Sequence, residues 1–148
     1  MLQLHSFSSE RDQVVETMIT LTHLSNLNRA IVAGQGSTNL YLALRRRGLI
    51  RIGFPSTFRL RKGSCAVGLI TVEESLAEFE IALAQVVPSL GTAATIAVLI
   101  KPSESGVAIK IRKKLEQLGF RIEAGVRCRQ GLVLSARRQG LAQMEWAA

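Results

Sequence analysis

Three short apolar runs constrain this chain more than any other feature: Ile31–Ala33, Ala66–Ile70 and Ile96–Ile100. Each is too short for a helix and shows none of the polar alternation of a strand with one wet face. Each stops at a turn-forming or polar residue: Gly34, Thr71 and Lys101-Pro102. Runs of this kind are strands buried on both faces, which requires a parallel sheet with helices packed on each side.

The segments between the runs read as those helices. Residues 39–47, Asn-Leu-Tyr-Leu-Ala-Leu-Arg-Arg-Arg, are predicted helical and closed by Gly48, with the arginines at the negative end of the helix dipole. Leu76 to Val87 is predicted helical with Leu76, Phe79, Ile81, Leu83 and Val86 as apolar members and Pro88 as the stop. Ser103 and Ser105 are cap candidates for a helix through Leu118, closed by Gly119. Ahead of the first strand, Ser9-Glu-Arg-Asp12 has capping-box form, and Val14, Val15, Met18, Ile19, Leu21, Leu24 and Leu27 recur at helical spacing up to Asn26 and Asn28. That helix is either a cover for the core or a dimer contact. Leu49 to Phe54 alternates like a strand ending at Pro55, Cys65 to Ile70 is a strand followed by a turn at Thr71, and the strand after Pro88 is placed at Thr95 to Ile100. Arg121 to Arg127 and Leu132 to Arg137, separated by Arg129-Gln-Gly131, form a terminal hairpin.

The predicted organisation is a helical segment over residues 1–28, an α/β domain over 29–138 and a tail over 139–148. A chain of 148 residues has room for one such core. No apolar run approaches the roughly 20 residues of a membrane span, and the first residues have neither the basic head nor the apolar stretch of a signal peptide. The expectation is a cytoplasmic protein that makes no membrane contact. Cys65 and Cys128 are too few for a disulfide framework or a thiolate zinc site, and neither His5 nor His23 has ligands at metal spacing, so no metal is expected.

Chemistry is expected where the first buried strand breaks: Ala30-Ile-Val-Ala-Gly34-Gln35-Gly36-Ser37-Thr38. Glycines between a strand and a helix allow a tight turn and close backbone approach, and the free N–H groups of the helix start face a ligand. The order of elements, this loop, the passage Lys113-Lys-Leu-Glu-Gln-Leu-Gly-Phe-Arg-Ile-Glu123 and the closing strand pair together resemble the class I S-adenosylmethionine-dependent methyltransferases over about Arg29 to Arg138. The resemblance implies a Rossmann-like three-layer α/β sandwich with a mostly parallel sheet and a C-terminal antiparallel hairpin edge. It implies S-adenosylmethionine as the cofactor, with Gly34, Gln35, Gly36, Ser37, Thr38, Pro55, Thr71 and Glu73 around it; it assigns no catalytic residue.

The chain departs from that family's pattern at named places. Val32 stands where the family carries an acidic residue, Thr38 where it carries a third glycine, and Pro55 where an Asp or Glu holds the ribose hydroxyls. Cys65 to Ile70 resembles the family's fourth strand, so its third strand is missing. The implied function is a methyltransferase-like protein whose S-adenosylmethionine binding is weak or lost. Glu73 and Glu74 fit a general base or simply the positive end of the following helix.

A different class of function comes from charge. Of the formal +8, residues 45–62 hold seven basic and no acidic groups, and residues 101–148 hold ten basic against four acidic. Such segments attract polyanions. The alternative reading is a non-catalytic module binding nucleic acid or an acidic protein through Arg45–Lys62 and Lys110–Lys114, and a homodimer is the third possibility.

Overall fold

The computed structural model describes residues 13–55, 62–73, 75–102 and 106–139. The Ser9–Asp12 box, Ser103, Ser105, Glu74, the heart of the basic segment and nearly all of the tail lie outside them. The elements are helix α1 (13–22), strand β1 (Ala30–Gly34), helix α2 (Ser37–Arg46), strand β2 (Ile52–Gly53), strand β3 (Cys65–Val72), helix α3 (Leu76–Val86), strand β4 (Leu90–Ile100), helix α4 (Val107–Gln117), strand β5 (Phe120–Cys128) and strand β6 (Gly131–Arg138). No helix among the described residues is long and apolar enough to cross a membrane.

The six strands form one sheet in the order β2-β1-β3-β4-β6-β5. β1 to β4 are mutually parallel, while β6 runs antiparallel to both β4 and β5. Successive side chains of a strand point to opposite faces, and both faces are covered across the middle of the sheet, while β5 stays largely exposed. Ile31, Ala33, Ile70, Val72, Ile96, Val98, Leu134 and Ala136 pack with Phe79, Leu83, Ile111 and Leu115 of α3 and α4. Ala30, Val32, Val67, Leu69, Ala97, Leu99 and Val133 pack with Val14, Val15 and Met18 of α1 and with Leu40 and Leu44 of α2. The apolar runs are therefore two-sided strands, and the apolar face of α1 is core cover. Gly68 keeps the first layer tight: a Cβ there would meet Val86 Cγ1 at 2.9 Å.

Several sequence-based boundaries need correction. α1 ends at residue 22, not at the asparagines. His23 takes a left-handed conformation (φ 55°), its N–H bonds to Thr20 O, and Leu24 N–H bonds to Ile19 O at 3.1 Å. This is a Schellman stop, in which the residue after the turn folds back on the last turn of helix. Leu24 is buried for that reason, while Leu27 is 88% exposed and belongs to no helical face. α2 closes the same way at Gly48, with Leu49 N–H on Leu44 O at 3.2 Å. Leu49 is thus buried as a helix stop, and only Ile52 and Gly53 of the predicted strand pair with β1. β3 continues through Thr71 and Val72, replacing the predicted turn, and β4 starts at Leu90, five residues early. The start of β4 is obscured because Cys65 and Val67 pair with Leu90 and Thr95, so the ladder is irregular where Gly91, Thr92, Ala93 and Ala94 intervene. Ile81 is 62% exposed, an apolar residue on the wet side of α3.

Candidate functional site

From the end of β1 the chain turns through α2 to β2 on one side of the sheet, and β3 lies on the other side. The loop after β1 thus stands at a topological switch point, where parallel α/β sheets leave a crevice outside the carboxyl ends of the strands. The same edge holds the ends of β3 and β4, so Gly34–Thr38, Thr71, Glu73 and Lys101 share it.

The loop needs its glycines. Gly34 (φ 102°) and Gly36 (φ 76°) both occupy the left-handed region, where an L side chain costs about 1–2 kcal/mol. Gly34 is further confined: a Cβ would sit 2.1 Å from Thr71 O. The backbone of β1 is pressed directly onto the end of β3. Thr71 Oγ1 donates to the carbonyl of Gln35, and Gln35 Nε2 donates to Glu78 Oε1 at 2.7 Å. The loop is thereby tied to β3 through its backbone and to α3 through a side chain. Glu78 sits in the first turn of α3, its N–H capped by Ser75 Oγ, and its Oε2 is buried with no hydrogen-bond partner.

Glu73 faces the loop from the opposite wall. A Cβ at Gly36 would lie 3.2 Å from Glu73 Oε1, and that oxygen accepts from Lys101 Nζ at 2.8 Å. A carboxylate therefore stands beside the N-terminal end of α2, where unpaired N–H groups and the helix dipole favour negative charge. Gly36 supplies no side-chain cap; Ser37 is half-buried and Thr38 exposed.

Pro55 is more remote. Continuing the β1–β2 register brings it level with Ala33, one step below Gly34. Its neighbour Phe54 packs on Tyr41 of α2, ring centroids 4.9 Å apart, which anchors the end of β2 to that helix. Thus the structure gathers Gly34, Gln35, Gly36, Thr71 and Glu73 tightly and leaves Pro55 at the crevice's side. Two participants were not singled out from sequence, Glu78 and Lys101. The capping-box spacing Ser75-x-x-Glu78 was a legible signal for the first, and the first charge beyond a buried strand was a signal for the second.

Among the described residues, no group of three or more His, Cys, Asp or Glu is placed to hold a metal ion. Both cysteines are free. Cys65 is buried under α3, and that burial raises its thiol above the usual range, against smaller lowering effects of Ser64 and Arg29.

No protein-family model and no curated protein matches this sequence. Solved structures do match. An S-adenosylmethionine-dependent O-methyltransferase from Thermotoga maritima aligns with TM-score 0.59 and 13% identity over 86% of this chain and 65% of its own length. A methylase of a ribosomal protein from Lactobacillus delbrueckii subsp. bulgaricus aligns with TM-score 0.62 and 12% identity over 86% of this chain and 78% of that one. The 1,6-didemethyltoxoflavin-N1-methyltransferase of Burkholderia thailandensis, solved with bound S-adenosylhomocysteine, aligns with TM-score 0.53 and 14% identity over 93% and 87%. The chain has the class I methyltransferase-like Rossmann fold. It spans just under two thirds of the Thermotoga enzyme.

Proposed function

We propose that this chain is a methyltransferase-like protein that binds S-adenosylmethionine weakly in the crevice lined by Gly34, Gln35, Gly36, Ser37, Thr38, Thr71 and Glu73, with Pro55 at its side. The observation that carries the reading is the glycine loop at the switch point, opening α2 opposite the Glu73 carboxylate. That carboxylate is paired with Lys101 and keeps a second oxygen that can accept from the ammonium group of S-adenosylmethionine.

Weak binding follows from what the crevice lacks. The proline side chain has no acceptor for a ribose diol, and each bond to a charged acceptor contributes about 1.5–3 kcal/mol. Losing even one lowers affinity roughly ten-fold. The loop's own ties, Thr71 to Gln35 O and Gln35 to Glu78, must also be compatible with the ligand or be displaced by it. The proposal concerns binding; it assigns no base and no methyl acceptor.

Three variants test it by calorimetry. Gly36→Val puts a branched side chain into the crevice and is expected to abolish binding. Gly48→Val carries a comparable left-handed strain (φ 87°) with open space around it at the far end of α2, and should destabilise similarly without affecting the ligand. Pro55→Asp should tighten S-adenosylmethionine by about ten-fold. Equal effects of Gly36→Val and Gly48→Val on affinity, or no gain from Pro55→Asp, would count against this site.

A further inference from the structure

The end of the sheet opposite the glycine loop carries five exposed cations that have no side-chain partner among the described residues. β1, β2, β3 and β5 start at that end and β6 ends there. Arg29 and Arg51 immediately precede β1 and β2, and Ala30 N–H bonds to Arg51 O, so these two are side by side. Ala66 N–H bonds to Arg29 O, which sets the start of β3 beside them. Lys62 lies in the turn leading into β3, and the N–H of the adjacent Gly63 is held by Pro88 O. Arg137 of β6 and Arg121 of β5 lie at the same end of the sheet, on the α1–α2 face, whereas strand alternation turns Arg29 to the α3–α4 face. All five side chains are exposed, and none has a hydrogen-bond or ion-pair partner among the described residues.

Two features separate these cations from ordinary solvated charge. First, solubilising surfaces pair and intersperse both signs, yet none of the five forms an ion pair among the described residues, not even Arg121 with Glu123 two residues along β5. Second, Arg121 and Arg137 are direct cross-strand partners on one face. Like charges in that position are destabilising unless an anion bridges them. With about 4.8 Å between strands, the six-strand width spreads the cations over about 24 Å, a length over which a nucleic-acid backbone presents several phosphates.

We propose that this edge is a docking surface for double-stranded nucleic acid, gripped through its phosphates without reading sequence. The duplex form is favoured because single strands are held by stacking of bases on exposed aromatic rings. Among the described residues Phe79 and Phe120 are buried, and Tyr41 and Phe54 pack on each other. The surface also differs from the basic face of α4, whose Lys110, Arg112 and Lys113 are equally exposed. It lies at the other end of the sheet from the glycine loop and does not depend on the cofactor reading.

The test is fluorescence anisotropy with a labelled two-turn duplex, DNA and RNA in parallel, across a salt series. Five phosphate contacts give a slope of about −4.5 in log affinity against log salt, or roughly 500-fold weakening between 50 and 200 mM. The triple variant Arg29→Gln, Arg121→Gln, Arg137→Gln should flatten that slope to about −2 with its melting temperature retained. The matched triple Lys110→Gln, Arg112→Gln, Lys113→Gln removes the same charge from α4 and should leave the slope unchanged. Equal flattening by the two triples, tighter binding of single strands than of duplex, or equal retention of poly-glutamate would each overturn the proposal.

Discussion

Gly34 and Gly36 share a backbone conformation and differ in what surrounds them, and that difference is measurable. Gly34→Ala drives a methyl group into Thr71 O, backbone against backbone, where neither side can yield. Gly36→Ala meets only the end of the Glu73 side chain, which can rotate away. Thermal or denaturant unfolding should show Gly34→Ala as the costlier change by about 1–3 kcal/mol, since Gly36→Ala bears chiefly the left-handed strain of about 1–2 kcal/mol. Cys65 offers a second test. Its raised thiol means the folded state keeps a proton that the unfolded state releases. Stability is therefore fully present below the ordinary thiol range and declines as pH rises through it. Unfolding midpoints should fall above about pH 8.5, and Cys65→Ala should remove that part of the decline. Arg121→Glu replaces a like-charged cross-strand pair by an attractive one; it should raise stability by about 0.2–1 kcal/mol, read from a denaturant midpoint at neutral pH.

At the scale of elements, the parts legible from sequence were those whose burial is two-sided or whose stop is chemically marked. The apolar runs around Ile31, Leu69 and Val98 read as strands because all of their residues but Ala66 are buried. Gly48 and Gly119 read as helix stops because a left-handed turn at those places needs glycine. What misled was local. Leu24 and Leu49 each fold back on the helix they follow, so their apolar character mimicked a continued helix in one case and an alternating strand in the other. β2 shrank to two residues for that reason. The glycine loop was legible as a loop, and Thr71 and Glu73 were placed beside it through family resemblance. Glu78 and Lys101 were missed, since their roles arise from tertiary contacts 43 and 28 residues away in sequence. The contribution of α1 is testable at Met18, which is fully buried between helix and sheet. Met18→Ala should cost about 2–5 kcal/mol, read from the shift of a denaturant midpoint.

On the scale of the whole molecule, topology separates two ends of one sheet. The carboxyl edge carries the glycine loop with Glu73, Glu78 and Lys101, and the opposite end carries Arg29, Arg51, Lys62, Arg121 and Arg137. The fold matches methyltransferases at 12–14% identity, which establishes the architecture and leaves the activity to experiment. The proposed function is that the crevice accepts the adenosyl cofactor with reduced grip, since Pro55 brings no carboxylate to it. Isothermal titration of the unmodified protein with S-adenosylmethionine tests it most directly. One-to-one binding with a dissociation constant above roughly 100 μM is expected, the range left after losing about 1.5–3 kcal/mol at the ribose. Binding at low micromolar concentration would show that other residues hold the cofactor, and no heat at millimolar ligand would show that the crevice does not take it.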